Sequence, residues 1–514
     1  MADWLIGIDA GGTMTKAALF DADGRERACE RFPNQMLFPA PGHTERDADV
    51  MWGAAASAVR LLLERTGIAP SAIAGVATAG YGSGLYVVDA AGNPLRPGIV
   101  STDTRATALV ERWRQDGRFA RNAPRVQQRL WCGHSLALMA WLAEHEPDLV
   151  ARAHSVLFCK DFLRGRLTGE LSTDPTDGGI SGLMDNVSRR WATDVMDDLG
   201  LGVWRGRMPD IGPSEAVAGA VTAEAARQTG LLPGTPVVRG LVDVTAASVA
   251  SGITDARQLA VIAGTFSINQ TLHATPRMEY LPFLQSPYPI GGLYLATEGA
   301  ATSAGNLEWF CKSVLTAGMR AELGSRSIYD VCNEAVAASL DRANDILFLP
   351  YLFGGPDGAP AGFIGLSAGH QFGDVVRAIY EGIAFAHKVD IDLLLSGRDA
   401  AQPEVIRLAG GAARSDVWAQ IFADVLERPV ELTEGSELGA LGTAISAAVG
   451  LGLQPDYETA VRAMVRVKRR FEPQAGRFPA LRDKYARFRA ATTAMSSLWR
   501  APQPAAPSAA AAAA

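Results

Sequence analysis

The chain has 514 residues, 48% of them hydrophobic and 20% charged, with a formal net charge of −7 at pH 7. That length is more than one hydrophobic core serves and predicts two or more domains, while the negative charge argues against a general nucleic-acid or anionic-membrane binder. The cysteines Cys29, Cys132, Cys159, Cys311 and Cys332 are scattered without a CxxC pair, the N-terminus lacks a basic signal region, and no apolar run is long enough to span a bilayer. A soluble cytoplasmic protein with reduced thiols is expected.

In chain order, Leu5-Ile6-Gly7-Ile8 reads as a buried strand that delivers Asp9 at its end. Ala10-Gly11-Gly12-Thr13 turns the chain, and Met14 to Phe20 returns it as a hairpin. A strand-end carboxylate followed by two glycines and a hydroxyl suits a Mg-nucleotide. Gly11 and Gly12 expose backbone N–H groups, Thr13 adds a donor, Lys16 adds charge or faces solvent, and Asp9 holds a hydrated metal. The alternative is an ordinary hairpin whose Asp caps the turn. No Walker A pattern fits, so a phosphate loop of this kind belongs to the actin and hexokinase type of ATPase. That type has two similar halves, which demands a second glycine–threonine loop in mid-chain.

Arg25 to Phe32 is expected as a strand, Asp49 to Thr66 as an amphipathic helix, and Ala74 to Ala79 as a small-residue strand with Leu85 to Asp89 returning. Gly80-x-Gly82-x-Gly84 lacks the following helix of a dinucleotide fingerprint and suggests close approach to a small polyol. Asp103 and Arg105 either grip sugar hydroxyls or pair locally at a helix start. Ser135 to Glu144 is a helix, and Thr173 to Gly179 is turn-rich and not helical. Pro236 to Val242 is a strand presenting Asp243, which serves chemistry, caps the next helix, or does both.

The demanded second loop follows. Gln258 to Ala263 runs into Gly264-Thr265, and Ile268 to His273 returns. Further on, Phe372 to Ser396 is a long helix. The strand Val405 to Leu408 opens into Gly410-Gly411, where the backbone can approach a base or ribose, and Ser415 caps the helix Asp416 to Leu426. Glu437 starts a small-residue helix, and the Ala/Pro tail from Ala501 is low-complexity and expected to be disordered.

These residues together resemble the FGGY carbohydrate kinases over nearly the whole chain. Gly7-Ile8-Asp9-Ala10-Gly11-Gly12-Thr13 is similar to the first phosphate motif of that family. Gly362-Phe363-Ile364-Gly365-Leu366 with Asp374 to Gly382 resembles its second signature, and Leu408 to Ser415 its adenine-site segment. Within the family, Ser101-x-Asp103-x-Arg105-Ala106, Leu130-Trp131-x-Gly133-His134 and Gly305 to Phe310 look like the xylulose kinase branch, in particular L-xylulose kinases.

The resemblance implies an α/β fold of two duplicated actin-like (ribonuclease H-like) ATPase domains with a nucleotide cleft between them. The domains would span 1–246 and 247–490, with 491–514 as a tail. It implies ATP and Mg²⁺ as cofactors and Asp243 as the catalytic base. Asp9 serves the metal, and Gly11, Gly12, Thr13, Lys16, Gly264, Thr265, Gly410, Gly411 and Ser415 hold the nucleotide. Tyr81, Asp103, Arg105 and Asp243 are placed at the sugar, with Glu45 and His134 as further candidates. Tyr81 stands where these kinases commonly carry Gln, which implies a pocket of different depth.

The expected substrate is a small sugar such as a ketopentose, or a polyol of erythritol or glycerol type, and a homodimer is left open. An actin-like or chaperone-like ATPase and a silent sugar sensor are the competing classes. The first lacks chain for a peptide-binding domain, and the second has no need of both Asp9 and Asp243.

Overall fold

A computed structural model describes residues 4–315, 323, 326–397, 402–435 and 437–499. Strands β1 (Trp4–Ala10) and β2 (Met14–Asp21) form the opening hairpin with Asp9 opposite Lys16, and β3 (Glu26–Pro33) pairs antiparallel with β2. Helix α1 (Ala48–Thr66) starts where Asp47 accepts the Val50 N–H and stops at left-handed Gly67. It buries Met51, Trp52, Ala55, Val59 and Leu62 in the core of this half. β4 (Ile73–Gly80) then lies parallel to β1.

A long helical insertion follows, with its own core around Leu109, Trp113, Leu138, Phe158 and Trp204. Helices α2 (Cys159–Thr168) and α3 (Pro175–Ile180) lead out of it. β5 (Val217–Ala220) and β6 (Pro236–Val242) then complete the sheet, with β6 parallel to β4 and β5 antiparallel at the edge. α4 (Asp243–Ala250) leaves directly from β6.

The second half repeats the scheme. β7 (Gln258–Ala263) and β8 (Ser267–His273) form its hairpin. β9 (Leu284–Pro287) and β10 (Tyr294–Ala300) extend it outward. After helix α5 (Phe372–Leu394), β11 (Val405–Gly410) pairs parallel with β7. Helix α6 (Asp416–Leu426) leads to β12 (Val430–Thr433), parallel to β11. Helix α7 (Leu438–Gly450) precedes the antiparallel edge strand β13 (Val467–Phe471). The strand orders β3-β2-β1-β4-β6-β5 and β10-β8-β7-β11-β12-β13 therefore match in direction throughout and in chain order over the first four strands; the antiparallel edge strand β5 precedes β6, whereas β13 follows β12, and β9 is added at one edge. The two-half expectation is a property of the topology.

Helix α7 joins the halves. Although it belongs to the second half in sequence, it packs on β1, β4, β6 and α4 of the first. The approach is backbone to backbone. A Cβ at Gly7 would fall 2.0 Å from the Ala440 carbonyl oxygen, and one at Gly442 would fall 2.0 Å from that of Ala246. Around this seam Leu5, Phe20, Val249, Leu272, Tyr288, Ile445 and Tyr457 form a core shared by both sheets.

Four expectations need correction. Thr173 to Gly179 is not a turn segment, because Pro175–Ile180 is helix. Asp174 caps it by accepting the Thr176 and Asp177 N–H groups with Pro at the first position. Gly179 is demanded by crowding, since a Cβ there would come 2.6 Å from Asn186 Oδ1 and 2.8 Å from Ser286 Cβ. The strand Tyr86–Val88 pairs with Ser155–Leu157 and not back on β4. The 246/247 boundary cuts through α4. Residues 491–499 are not tail but the last turns of the helix Phe478–Trp499, tied by the Thr492–Tyr351 hydroxyl contact at 2.8 Å. Residues 500–514, including the Ala/Pro stretch, lie outside the described residues.

Gly7→Ala should destabilise the protein by on the order of 1–3 kcal/mol through overpacking at the seam. Gly53→Ala is the contrast, because a Cβ there meets nothing within 4 Å and the site is mid-helix; it should be neutral or stabilising by up to ~1 kcal/mol. Urea unfolding midpoints of the two variants check the seam.

Candidate functional site

β1, β4 and β6 run parallel, so their carboxyl ends come together. Asp9 lies opposite Ala79 of β4 on one side, and Leu241 of β6 lies opposite the same Ala79 on the other. Asp243 follows two residues later. β6 is bulged just before it, with a register shift between Val238 and Leu241 and Gly240 at φ 81°. Only glycine fits there, since a Cβ would fall 2.0 Å from the Thr78 carbonyl oxygen. Bulges re-aim side chains beside active sites, and this one precedes the carboxylate of interest.

The Asp243 Oδ1 accepts the Val244 N–H at 2.7 Å. Burial, reinforced by the Asp9 charge, raises its pKa to about 7. Burial also raises Asp9 to about 6, against the pull of Lys16. A carboxylate with a pKa near the operating pH is suited to take a proton from a hydroxyl.

Asp9 sits under the start of α7, where a Cβ at Gly439 would fall 2.3 Å from Asp9 Oδ2. Its Oδ1 is buried without a hydrogen-bond partner. An unpartnered carboxylate oxygen is a hard donor of the type Mg²⁺ takes, so Asp9 fits a metal-bearing role. The adjacent turn is braced from below. Asn34 Nδ2 donates to the Gly11 carbonyl at 2.8 Å and Arg46 Nη2 to the Gly12 carbonyl at 2.6 Å. Gly12 and Thr13 stay exposed. Lys16 bridges to Glu437 at 2.7 Å, just before α7, with Arg31 on the same carboxylate at 2.8 Å.

The second hairpin opens on a cavity of about 1280 Å³, lined by Gly264, Thr265, Gly410, Gly411, Ser415 and Leu438 among others. Leu438 lines this cavity, and the next residue, Gly439, packs on Asp9. Gly410 holds φ 84° against Ala263, which lets the β11 turn lie across the hairpin. Ser415 caps α6 through the Trp418 N–H at 3.2 Å and donates to Asn333 Oδ1 at 2.6 Å. Tyr380 also donates to that oxygen at 2.8 Å. Asn333 itself lines the cavity, with its oxygen engaged twice. Neither Asn333 nor Arg46 stood out in the sequence, since one polar residue on a helix and one cation in a loop carry no pattern.

The residues placed at the sugar are more enclosed than expected. Tyr81 is 5% exposed; its hydroxyl meets that of Tyr86 at 2.7 Å and Arg46 lies 4.9 Å over its ring. Asp103 is fully buried, and Thr44 N–H at 2.6 Å and Arg105 at 2.8 and 2.9 Å engage both its oxygens. Arg105 also reaches Glu45 at 2.6 Å, so the pair forms a closed ion cluster, the local alternative of the sequence reading. His134 is buried and neutral, its pKa lowered to about 4 by burial. Its Nε2 lies 2.9 Å from the Ile180 carbonyl, so that nitrogen carries the proton and ties down the end of α3. The glycine bend is filled by the chain itself, because a Cβ at Gly82 would overlap Ile180.

Residues 4–250 match the FGGY family of carbohydrate kinases, N-terminal domain, and residues 259–451 match its C-terminal domain. The chain belongs to the FGGY family of carbohydrate kinases. It is similar to the L-xylulose/3-keto-L-gulonate kinase of Escherichia coli, 33% identical over 95% of this chain and 96% of the other. It is also similar to a probable L-xylulose kinase of Pasteurella multocida, 34% identical over 96% of this chain and 100% of the other. Among solved structures, a xylulose kinase from Rhodospirillum rubrum superposes with TM-score 0.85 at 27% identity, covering 97% of this chain and 100% of that one. This FGGY kinase is thus an ATP-dependent phosphotransferase acting on a small sugar. No described helix is long and apolar enough to cross a membrane.

The raised pKa of Asp243 opposes folding at high pH. Relative to the ordinary value of 3.8, a folded value of about 7 means the native state holds the proton more tightly. That advantage is complete in acid and is lost as pH rises through 7. Asp243→Asn should therefore raise the melting temperature more at pH 8 than at pH 5.

Proposed function

We propose that this kinase transfers the γ-phosphoryl group of ATP to a hydroxyl of a xylulose-type ketopentose, with Asp243 as general base and Asp9 serving Mg²⁺. The observation that carries the reading is the pairing of Asp9 and Asp243 at the carboxyl ends of β1 and β6, with the glycine-lined cavity reaching Leu438, whose neighbour Gly439 packs on Asp9. The substrate class is supported by the two L-xylulose kinase relatives. The double name of the first relative adds a six-carbon keto acid as a related candidate.

A sugar hydroxyl is a very weak acid, and Asp243 takes its proton as the bond to phosphorus forms. The exposed Gly11-Gly12-Thr13 turn on one side and Gly264-Thr265 on the other supply backbone and hydroxyl donors to the phosphates. Gly410, Gly411, Ser415 and Asn333 accept the nucleoside. Mg²⁺, when bound, neutralises phosphate charge beside Asp9. The transition state is loose, so positioning and charge stabilisation by these donors supply most of the rate. Approach of the halves about the α7 seam excludes water and limits wasteful ATP hydrolysis.

ADP release should depend strictly on the sugar. L-Xylulose and D-xylulose are to be compared with 3-keto-L-gulonate, erythritol and glycerol. Best turnover on glycerol or erythritol would replace the ketopentose by a polyol, and sugar-independent ADP release would remove the kinase reading of the site. Asp243→Asn should lower kcat by ~10²–10⁴. In the native enzyme kcat/KM should fall as pH drops below about 7, as Asp243 takes up its proton.

A further inference from the structure

We propose that Thr176 is a positioning residue for Asp243, fixing its carboxylate through the Val242 amide. This rests on the reading of Asp243 as the base. The Thr176 hydroxyl accepts the Val242 N–H at 3.0 Å and donates to Asp174 Oδ2 at 2.7 Å. A hydroxyl has a single proton, so giving it to a carboxylate leaves its lone pairs for the amide. The last amide of the bulged strand β6 is therefore tied to a side chain of α3.

Asp174 is itself immobilised. The Ser214 hydroxyl donates to its Oδ2 at 2.6 Å and Lys160 to its Oδ1 at 2.9 Å. Lys160 has no solvent exposure and meets three carboxylates, Asp161 at 2.5 Å, Asp174 at 2.9 Å and Asp177 at 3.3 Å. Arg164, equally buried, binds Asp161 at 2.7 Å. Burial, against the pull of Lys160 and reinforced by the charges of Asp161 and Asp174, raises Asp177 well above the usual carboxylate range. Lys160 and Arg164, with the Arg239 charge close by, hold these carboxylates in one buried cluster. Buried charges are costly to separate from their partners, so the cluster fixes the α2 and α3 segments to each other. Thr176 transmits that fixed frame to the residue before Asp243.

The bulge makes the tether matter. Between Val238 and Leu241 the β6 ladder slips, so rotation about the Val242 backbone is held on one side by Thr176. General-base catalysis tolerates little displacement, and about 1 Å can cost ~10²-fold in rate.

Thr176→Val keeps the shape and removes the acceptor. Its kcat should fall by about 10- to 100-fold, while KM for ATP and sugar stays within about threefold. Thr176→Ser should recover kcat to within about threefold of the native enzyme. Native kcat in Thr176→Val overturns the proposal. So does an equal loss in Thr176→Ser, which would assign the effect to packing of the methyl group. Should Thr176→Val fail to fold, Thr176→Ala, which leaves room in the core, decides on the same criteria. Asp243→Asn separates the two readings. Normal turnover in Asp243→Asn removes the base assignment itself, whereas an inactive Asp243→Asn beside a native-like Thr176→Val removes only the role of Thr176.

Discussion

The close approach of α7 to the first sheet is the constraint on which the rest of the molecule depends. Gly439 against Asp9, Ala440 against Gly7 and Gly442 against Ala246 bring a helix of the second half within backbone contact of β1 and α4. Side chains at those glycines would push the halves apart. Their absence lets Leu438 line the large cavity while the next residue packs on Asp9. Helix and sheet are thus held in one frame that links the two halves. The contact is of a kind that hydrophobic patterning alone does not specify, because small residues pack by fit and not by large apolar area.

The electrostatics follow from the same packing. Asp9 and Asp243 are brought near each other in a partly enclosed place, and both lose affinity for their charged forms. Such a pair opposes folding at neutral pH, yet it leaves Asp243 with a proton affinity useful for catalysis. Stability is supplied elsewhere, notably by the shared core around Phe20, Tyr288 and Ile445.

Much of this was legible in the sequence. The two hairpins stood out because glycine–threonine turns interrupt apolar strands at Gly11 to Thr13 and Gly264-Thr265. Asp243 stood out because a strand ends on it, and Ser415 because a hydroxyl before an apolar helix is an N-cap. Helix α3 was not legible. Pro175, Gly178 and Gly179 are turn residues by local preference, and the helix exists because Asp174 caps it and the surrounding chain leaves no room for a side chain at Gly179. Tyr81 was read by its position as a polar tip at the sugar, but tertiary packing gives its hydroxyl to Tyr86. Asp103 and Arg105 satisfy each other for the same reason, since a buried charge must find a partner. Arg46 and Asn333 gave no signal because their partners are remote in sequence.

In the proposed mechanism two copies of one hairpin, joined by α7, divide a single phosphoryl-transfer site with Asp243 at the acceptor. A crystal structure with a non-hydrolysable ATP analogue, Mg²⁺ and a ketopentose tests it most directly. The expected result has the γ-phosphate between Gly11 to Thr13 and Gly264-Thr265, with a sugar hydroxyl within hydrogen-bond distance of Asp243. A sugar bound with no hydroxyl near Asp243, or a γ-phosphate touching only one hairpin, would contradict it.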